Sequence, residues 1–238
     1  MSGRIPWSRV AVEGLVIVAS ILLAFAIDAW WDQIGQREEE RVALVGLEAD
    51  FSGYLDRLEQ IRGNNQRRLE AAHRLIDATG PGPSPLSDAE FQSDLAIVVM
   101  YTTINLQPGT LGSLLETNRL SWISDVQLRS RLTDWDRNQR FAEEQNEYLV
   151  EQSRELDAFL KGRYPMEGIL LLTQDPEHDL SEANFRFPAR AGALLADVEF
   201  ANHLSFAADA SRLVINRVDV LDDLVDEILG LLHTNGAD

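Results

Sequence analysis

Cysteine is absent from the 238 residues, which removes disulfide frameworks, thiolate zinc sites, iron–sulfur clusters and cysteine nucleophiles together. Positive charge is scarce. Lys and Arg number 21 against 39 Asp and Glu, a formal net charge of −18, and a nucleic-acid partner needs a basic face that such a chain lacks. Lys161 is the sole lysine, which a GC-rich coding bias accounts for. His73, His178, His203 and His233 are scattered, with no ligand spacing. There is no G-x-S-x-G, no phosphate-binding loop, no GxGxxG and no H-E-x-x-H. Asp134, Asp136 and Asn138 copy the first positions of a calcium loop, but Gln139 replaces the glycine and Gln145 the closing glutamate, so an EF-hand is rejected. Asp175, Glu177, His178 and Asp179 read as an acidic surface loop rather than a metal site. These absences point away from an enzyme, and no catalytic residue, metal or cofactor is assigned.

What the chain does have begins at its N-terminus. Arg4, Arg9, Glu13 and Asp28 cancel within residues 1–31, so the whole −18 belongs to the remainder. Gly14 to Ile27 carries no charge, and residues 11–31 make a helix of roughly 30 Å, the thickness of a hydrocarbon core. Trp7 before the span and Trp30 and Trp31 after it suit the two membrane interfaces. The arginines favour a cytoplasmic N-terminus, with the bulk periplasmic at a bacterial inner membrane. The rival reading is a signal peptide cut at Ala24-Phe25-Ala26, releasing a secreted domain. The unbroken apolar run and the tryptophan pair favour a retained anchor. Glu13, Ile17, Ser20, Ala24 and Asp28 fall on one helical stripe. Three readings of it stand open: acids solvated at headgroup level, a face for helix association in lipid, or an ion path.

The chain divides into a tail (1–10), a transmembrane helix (11–31), a charged helical neck (32–43) and a helical bundle domain (44–238). From Gln33 the pattern predicts about twelve turns of helix. Leu44, Leu47, Phe51, Tyr54, Leu58 and Ile61 form a seam, which weakens at Asn65, Arg68 and Ala72. That suits a bundle helix with a polar patch better than a strict coiled coil. Thr79 to Pro85 is a loop. Ser87-Asp88-Ala89-Glu90 has capping-box spacing and opens a helix to about Thr103. Gln107-Pro108-Gly109 breaks the chain again, and Thr110 is expected to cap a short helix. A long helix follows from Ser124 or Asp125 to about Gly162, with Leu128, Leu132, Trp135, Phe141 and Leu149 among its inward residues. Residues 163–196 are irregular, with a short strand or helix at 168–172. A last helix covers about 197–232. The fold expected is all-α: an N-terminal transmembrane helix continuing into an antiparallel bundle of about four long helices.

Two stretches resemble a bacterial family of uncharacterised single-span membrane proteins. One runs from Glu13 to Phe51: the apolar span, the acid-x-Trp pair at its end, the charged neck and L-E-A-D-F. The other is Ser113 to Trp135, S-L-L-E-T-N-R-L-S-W followed by a helix, with Asn118 where a glycine is usual. The resemblance implies membrane anchoring and a helical extracytoplasmic domain, and it transfers no catalytic residue. The function expected is a membrane-anchored, non-enzymatic interaction or scaffold module. Its expected partners are the lipid bilayer and a second copy or another membrane protein. The alternatives are a sensory or ligand-binding bundle with 163–196 as a lid, and a hydrolase using unplaced acids.

Overall fold

The computed structural model describes residues 7–82, 86–176 and 190–235; within the first helix, side chains are described at Leu15 and from Val18 onward. The described residues are helical, with no strand among them. In chain order the helices are α1 (Trp7–Asp77), α2 (Asp88–Val99), α3 (Gly109–Glu116), α4 (Val126–Lys161), α5 (Glu167–Gln174), α6 (Ala191–Leu195) and α7 (Val198–Asn235), with a 3-10 turn at Leu120–Trp122 before α4.

α1 runs for 71 residues without interruption, because no proline occurs between Trp7 and Asp77 and its glycines are isolated. Of the seam expected from the sequence, the upper part of α1 buries Leu47, Phe51, Leu58 and Ile61 fully and Leu44 and Tyr54 in part, with Ala43 buried beside them. α2 then turns back down α1, started by the Ser87–Glu90 capping box, in which Glu90 N–H donates to Ser87 Oγ at 3.3 Å and Ser87 N–H donates to Glu90 Oε2 at 2.9 Å. α4 rises beside α1 in the parallel sense. Ser124 meets Glu40 and Ser153 meets Arg68, pairs separated by 84 and 85 residues, so the two helices keep step along their length. α7 descends antiparallel to both. It ties to α1 through Arg62, which reaches Asp219 at 3.0 Å and Asp222 at 2.6 Å, and through His233 with Glu48 at 3.2 Å. Arg131 with Glu227 at 2.7 Å ties it to α4.

Three long helices therefore stand where four were expected; the second leg is composite. α2 ends at Val99, short of Thr103, and Met100 turns extended at φ −82° and ψ 138°. Residues 100–108 then run down α1 without helical bonds, and side-chain amides supply what a helix would have supplied. Asn146 accepts from Ile104 N–H at 2.8 Å and donates to Ile104 C=O at 2.6 Å. Gln139 donates to Leu106 C=O at 3.0 Å, and Asn65 donates to Thr102 C=O at 2.9 Å. Gln139 and Asn146 occupy the α4 face between Leu132 and Ser153, where apolar side chains would otherwise sit. Phe141 lies off that face, exposed, with Arg217 over its ring at 5.5 Å, so its expected inward position is not met. The segment at 168–172 is helical, within α5. Residues 177–189, which include Glu177, His178 and Asp179, lie outside the described residues.

The apolar core forms two clusters, one around Phe51 and Trp135 and one around Phe91, Phe159 and Phe200. Arg68 lies between them, 2% exposed. Its guanidinium donates to Val98 C=O at 2.8 Å, Ser153 Oγ at 3.0 Å, Ser211 Oγ at 3.1 Å and Ala207 C=O at 3.3 Å. One side chain thus bonds α2, α4 and α7 from α1 at a single level. None of these acceptors is a carboxylate, and burial pushes the group down to about 10, which leaves it charged at neutral pH. The polar patch that weakens the seam in the sequence is the junction of all four legs.

Candidate functional site

Below Ala43, α1 leaves the bundle. Every side chain described from Val18 to Glu39 is exposed, including Leu22, Phe25, Trp30 and Trp31. A contiguous apolar surface of this extent marks an interaction or membrane surface, and this helix is long and apolar enough to cross a bilayer. Trp30 and Trp31 meet edge to face, with ring centroids 5.6 Å apart. Ser20, Ala24 and Asp28 share one face of α1 and are exposed. Glu13 and Ile17 belong to the same unbroken helix, so the stripe keeps its helical spacing. The side chains of Trp7, Glu13 and Ile17 lie outside those described.

Where α1 enters the bundle, α3 and the 3-10 turn close around it as a collar. Thr110 does not cap α3 as expected. Pro108 is the N-cap residue and makes no side-chain bond, and the cap comes from α1, where Asp50 Oδ2 accepts from Thr110 N–H at 2.6 Å. The exchange follows from the close approach of the two helices. A Cβ on Gly46 would sit 2.6 Å from Thr110 Oγ1, and one on Gly109, at φ +50°, would sit 2.4 Å from Asp50 Oδ2. Tyr54 donates to Gln107 C=O on the same side; burial, with the Asp50 charge adding, pushes its hydroxyl up to about 12. Lower down, Glu39 pairs with Arg119 at 3.2 Å, and Arg119 also lies 4.5 Å from the Trp122 ring centroid. Glu40 accepts from Ser124 N–H at 2.5 Å and Ser124 Oγ at 2.7 Å. Asn118 turns the chain between α3 and the 3-10 turn at φ +58°. Asparagine tolerates this left-handed conformation better than other non-glycine side chains.

Of the two stretches singled out in the sequence, the upper end of the first, from Glu39 to Phe51, thus packs on the second. The acids that look like a solvated run at Glu38-Glu39-Glu40 divide by role. Glu39 and Glu40 hold the collar. Glu38 faces out, where a hydrogen bond and the charge of Arg41 at 2.6 Å hold its carboxyl below the ordinary glutamate range. Sequence reasoning missed Gly46, Asp50 and Glu40 as collar residues; a glycine four residues before an aspartate on an otherwise apolar helix was the available signal. Between the neck and the collar lies an open groove of about 500 Å³, lined by Val42, Ala43, Gly46, Leu114, Arg119 and Trp122 among others.

Nothing in this arrangement converges on a reacting atom. Among the described residues, no three His, Cys, Asp or Glu side chains are grouped to hold a metal ion. Asp134, Asp136 and Asn138 lie inside α4, where helical backbone cannot form a calcium loop, and they are engaged by Arg137, Arg140 and Arg217. His73 is exposed, His203 packs on Phe159 with centroids 4.9 Å apart, and His233 pairs with Glu48. No family model, no curated protein and no solved structure matches the chain.

Proposed function

We propose that the chain is a single-span, membrane-anchored, non-enzymatic scaffold that binds other proteins, second copies of itself included. Its N-terminus is cytoplasmic and its bundle lies on the periplasmic side of a bacterial inner membrane. The observation that carries this reading is the bare lower half of α1, where apolar side chains from Val18 to Ile34 stand exposed on a helix that continues unbroken into a well-packed bundle. Water would oppose that surface at about 25 cal/mol per Å², whereas a hydrocarbon layer accepts it. The resemblance of residues 13–51 and 113–135 to single-span membrane proteins points the same way, and among the described residues no reactive groups converge, which favours binding over chemistry. In the bilayer the stripe of Glu13, Ile17, Ser20, Ala24 and Asp28 serves as the association face, its small residues allowing close helix approach.

Membrane fractions of cells expressing the full chain test the reading. The protein should resist alkaline carbonate extraction. A C-terminal periplasmic reporter should be active and a cytoplasmic one silent. Release into the carbonate supernatant, or a mature N-terminus at Ile27, would overturn the anchor.

A further inference from the structure

We infer that a second copy of this chain docks in parallel along the outward face of α1 above the membrane, between Ile34 and Ser52. The inference rests on the anchored reading above and extends its association face out of the bilayer.

The face is defined by the bundle itself. α1 turns Ala43, Leu47 and Phe51 into the core, so the opposite side of the same turns must face out. On it stand Ile34, Glu38, Val42, Val45, Ala49 and Ser52, spaced by threes and fours, and all are exposed. A solvated helix face carries polar and charged side chains there. This one instead carries valines that are 59% and 58% exposed at Val42 and Val45. Gly35 and Gly53 beside it have nothing within 4 Å of where a Cβ would be, so a second helix can come close. The same three-and-four stepping carries the face down through Trp31, Ile27, Ala24 and Ser20, onto the association stripe of the span.

Lipid does not cover the upper part. With Trp31 at the edge of the hydrocarbon, Val42 lies roughly 16 Å and Val45 about 21 Å further along the helix. The headgroup layer is only about 5–8 Å deep. What covers these valines must itself rise from the membrane.

Charge selects another copy of the same helix. Arg37 lies on one flank of the face, and Asp28 and Asp32 on the other, whereas Arg41 is paired with Glu38 and Glu39 with Arg119 within the chain. Two parallel copies related by a two-fold axis along the helices place the basic flank of each against the acidic flank of the other, on both sides of the seam. Anchoring in one bilayer imposes that parallel sense.

The absence of cysteine makes the test direct. Single-cysteine variants of the full chain are oxidised in native membranes: V42C and V45C on the face, S20C and A24C in the span, and E143C on exposed α4 as the control. Disulfide-linked dimers at 42 and 45 and none at 143 are expected. Dimers at 20 or 24 without dimers at 42 and 45 would overturn this inference while leaving association within the bilayer standing. No dimer at any position would overturn both, and equal yields at 143 would reduce the contact to collision. A charge exchange separates a specific seam from mere proximity. In the V45C background, Arg37→Asp should lower dimer yield about fivefold, as expected for two symmetry-related surface pairs, and adding Asp32→Arg should restore it. An unchanged yield in the single variant would overturn the charge argument and with it the choice of partner.

Discussion

The two halves of α1 are one helix in two environments. Above Ala43, one stripe of side chains is sealed by α4 and α7, and Leu47, Phe51, Leu58 and Ile61 are fully buried. Below it, Glu39 and Glu40 still meet the collar, but every side chain described from Val18 to Glu38 is exposed, its large apolar ones included. Backbone conformation is the same throughout. What differs is the pattern: an apolar stripe above, as a helix packed on protein shows, and between Val18 and Trp31 a largely apolar surface on all sides, on a helix long and apolar enough to cross a bilayer. Helix formation and helix burial are therefore separate matters in this chain, and the neck at Arg37–Arg41 is where the exposed part of the helix gives way to the packed part.

The largest test of that contrast is Arg68→Ala. It removes the bonds that draw α2, α4 and α7 to α1, orphans the Val98 carbonyl and opens a cavity, so chemical denaturation should show a loss of about 3 kcal/mol or more. An unchanged midpoint would mean that the upper half holds together by its apolar seam alone. A narrower comparison uses neighbours on one turn. Leu47→Ala should cost about 2–5 kcal/mol, as a buried leucine does, whereas Val45→Ala should stay within about 0.5 kcal/mol for the monomer. Equal losses would show that the outward face is covered by the chain's own bundle. The finest comparison sets two glycines of α1 against each other. Gly53→Ala should raise stability by about 0.5–1 kcal/mol through helix propensity. Gly46→Ala should instead lower stability, because its Cβ meets Thr110 Oγ1 at 2.6 Å and Thr110 must shift, and thermal melting reads the opposite signs.

Local signals in the sequence were strong and carried far. The Ser87 capping box, the Asp125 start of α4, the loop at 79–82 and the helical run from Gln33 all stand in the structure, because each depends on residues within a few positions. The composite second leg was not legible. A continuous helix through Thr103 satisfies its own backbone, and only Asn146, Gln139 and Asn65, brought in from other helices, make the extended alternative tolerable. Arg68 was visible as a polar interruption facing inward. Its role was not, since Ser153, Ser211 and Val98 are far away in the chain and each is unremarkable alone. The collar was hidden for the same reason: Asp50 reads as an ordinary surface acid until Thr110 is placed above it. That Ser20, Ala24 and Asp28 share one face was readable, because a helix preserves spacing.

The unbroken course of α1 also gives the molecule a mechanical property. A helix without kink or glycine pair bends little, and the collar clamps it where it enters the bundle. From Trp31 to Asp77 it extends roughly 70 Å. Tilting the lower half by about 10° would swing the far end of the bundle through roughly 12 Å, by the same helical rise. A small reorientation of the lower half becomes a large displacement at the top, and the stiff stem acts as its lever.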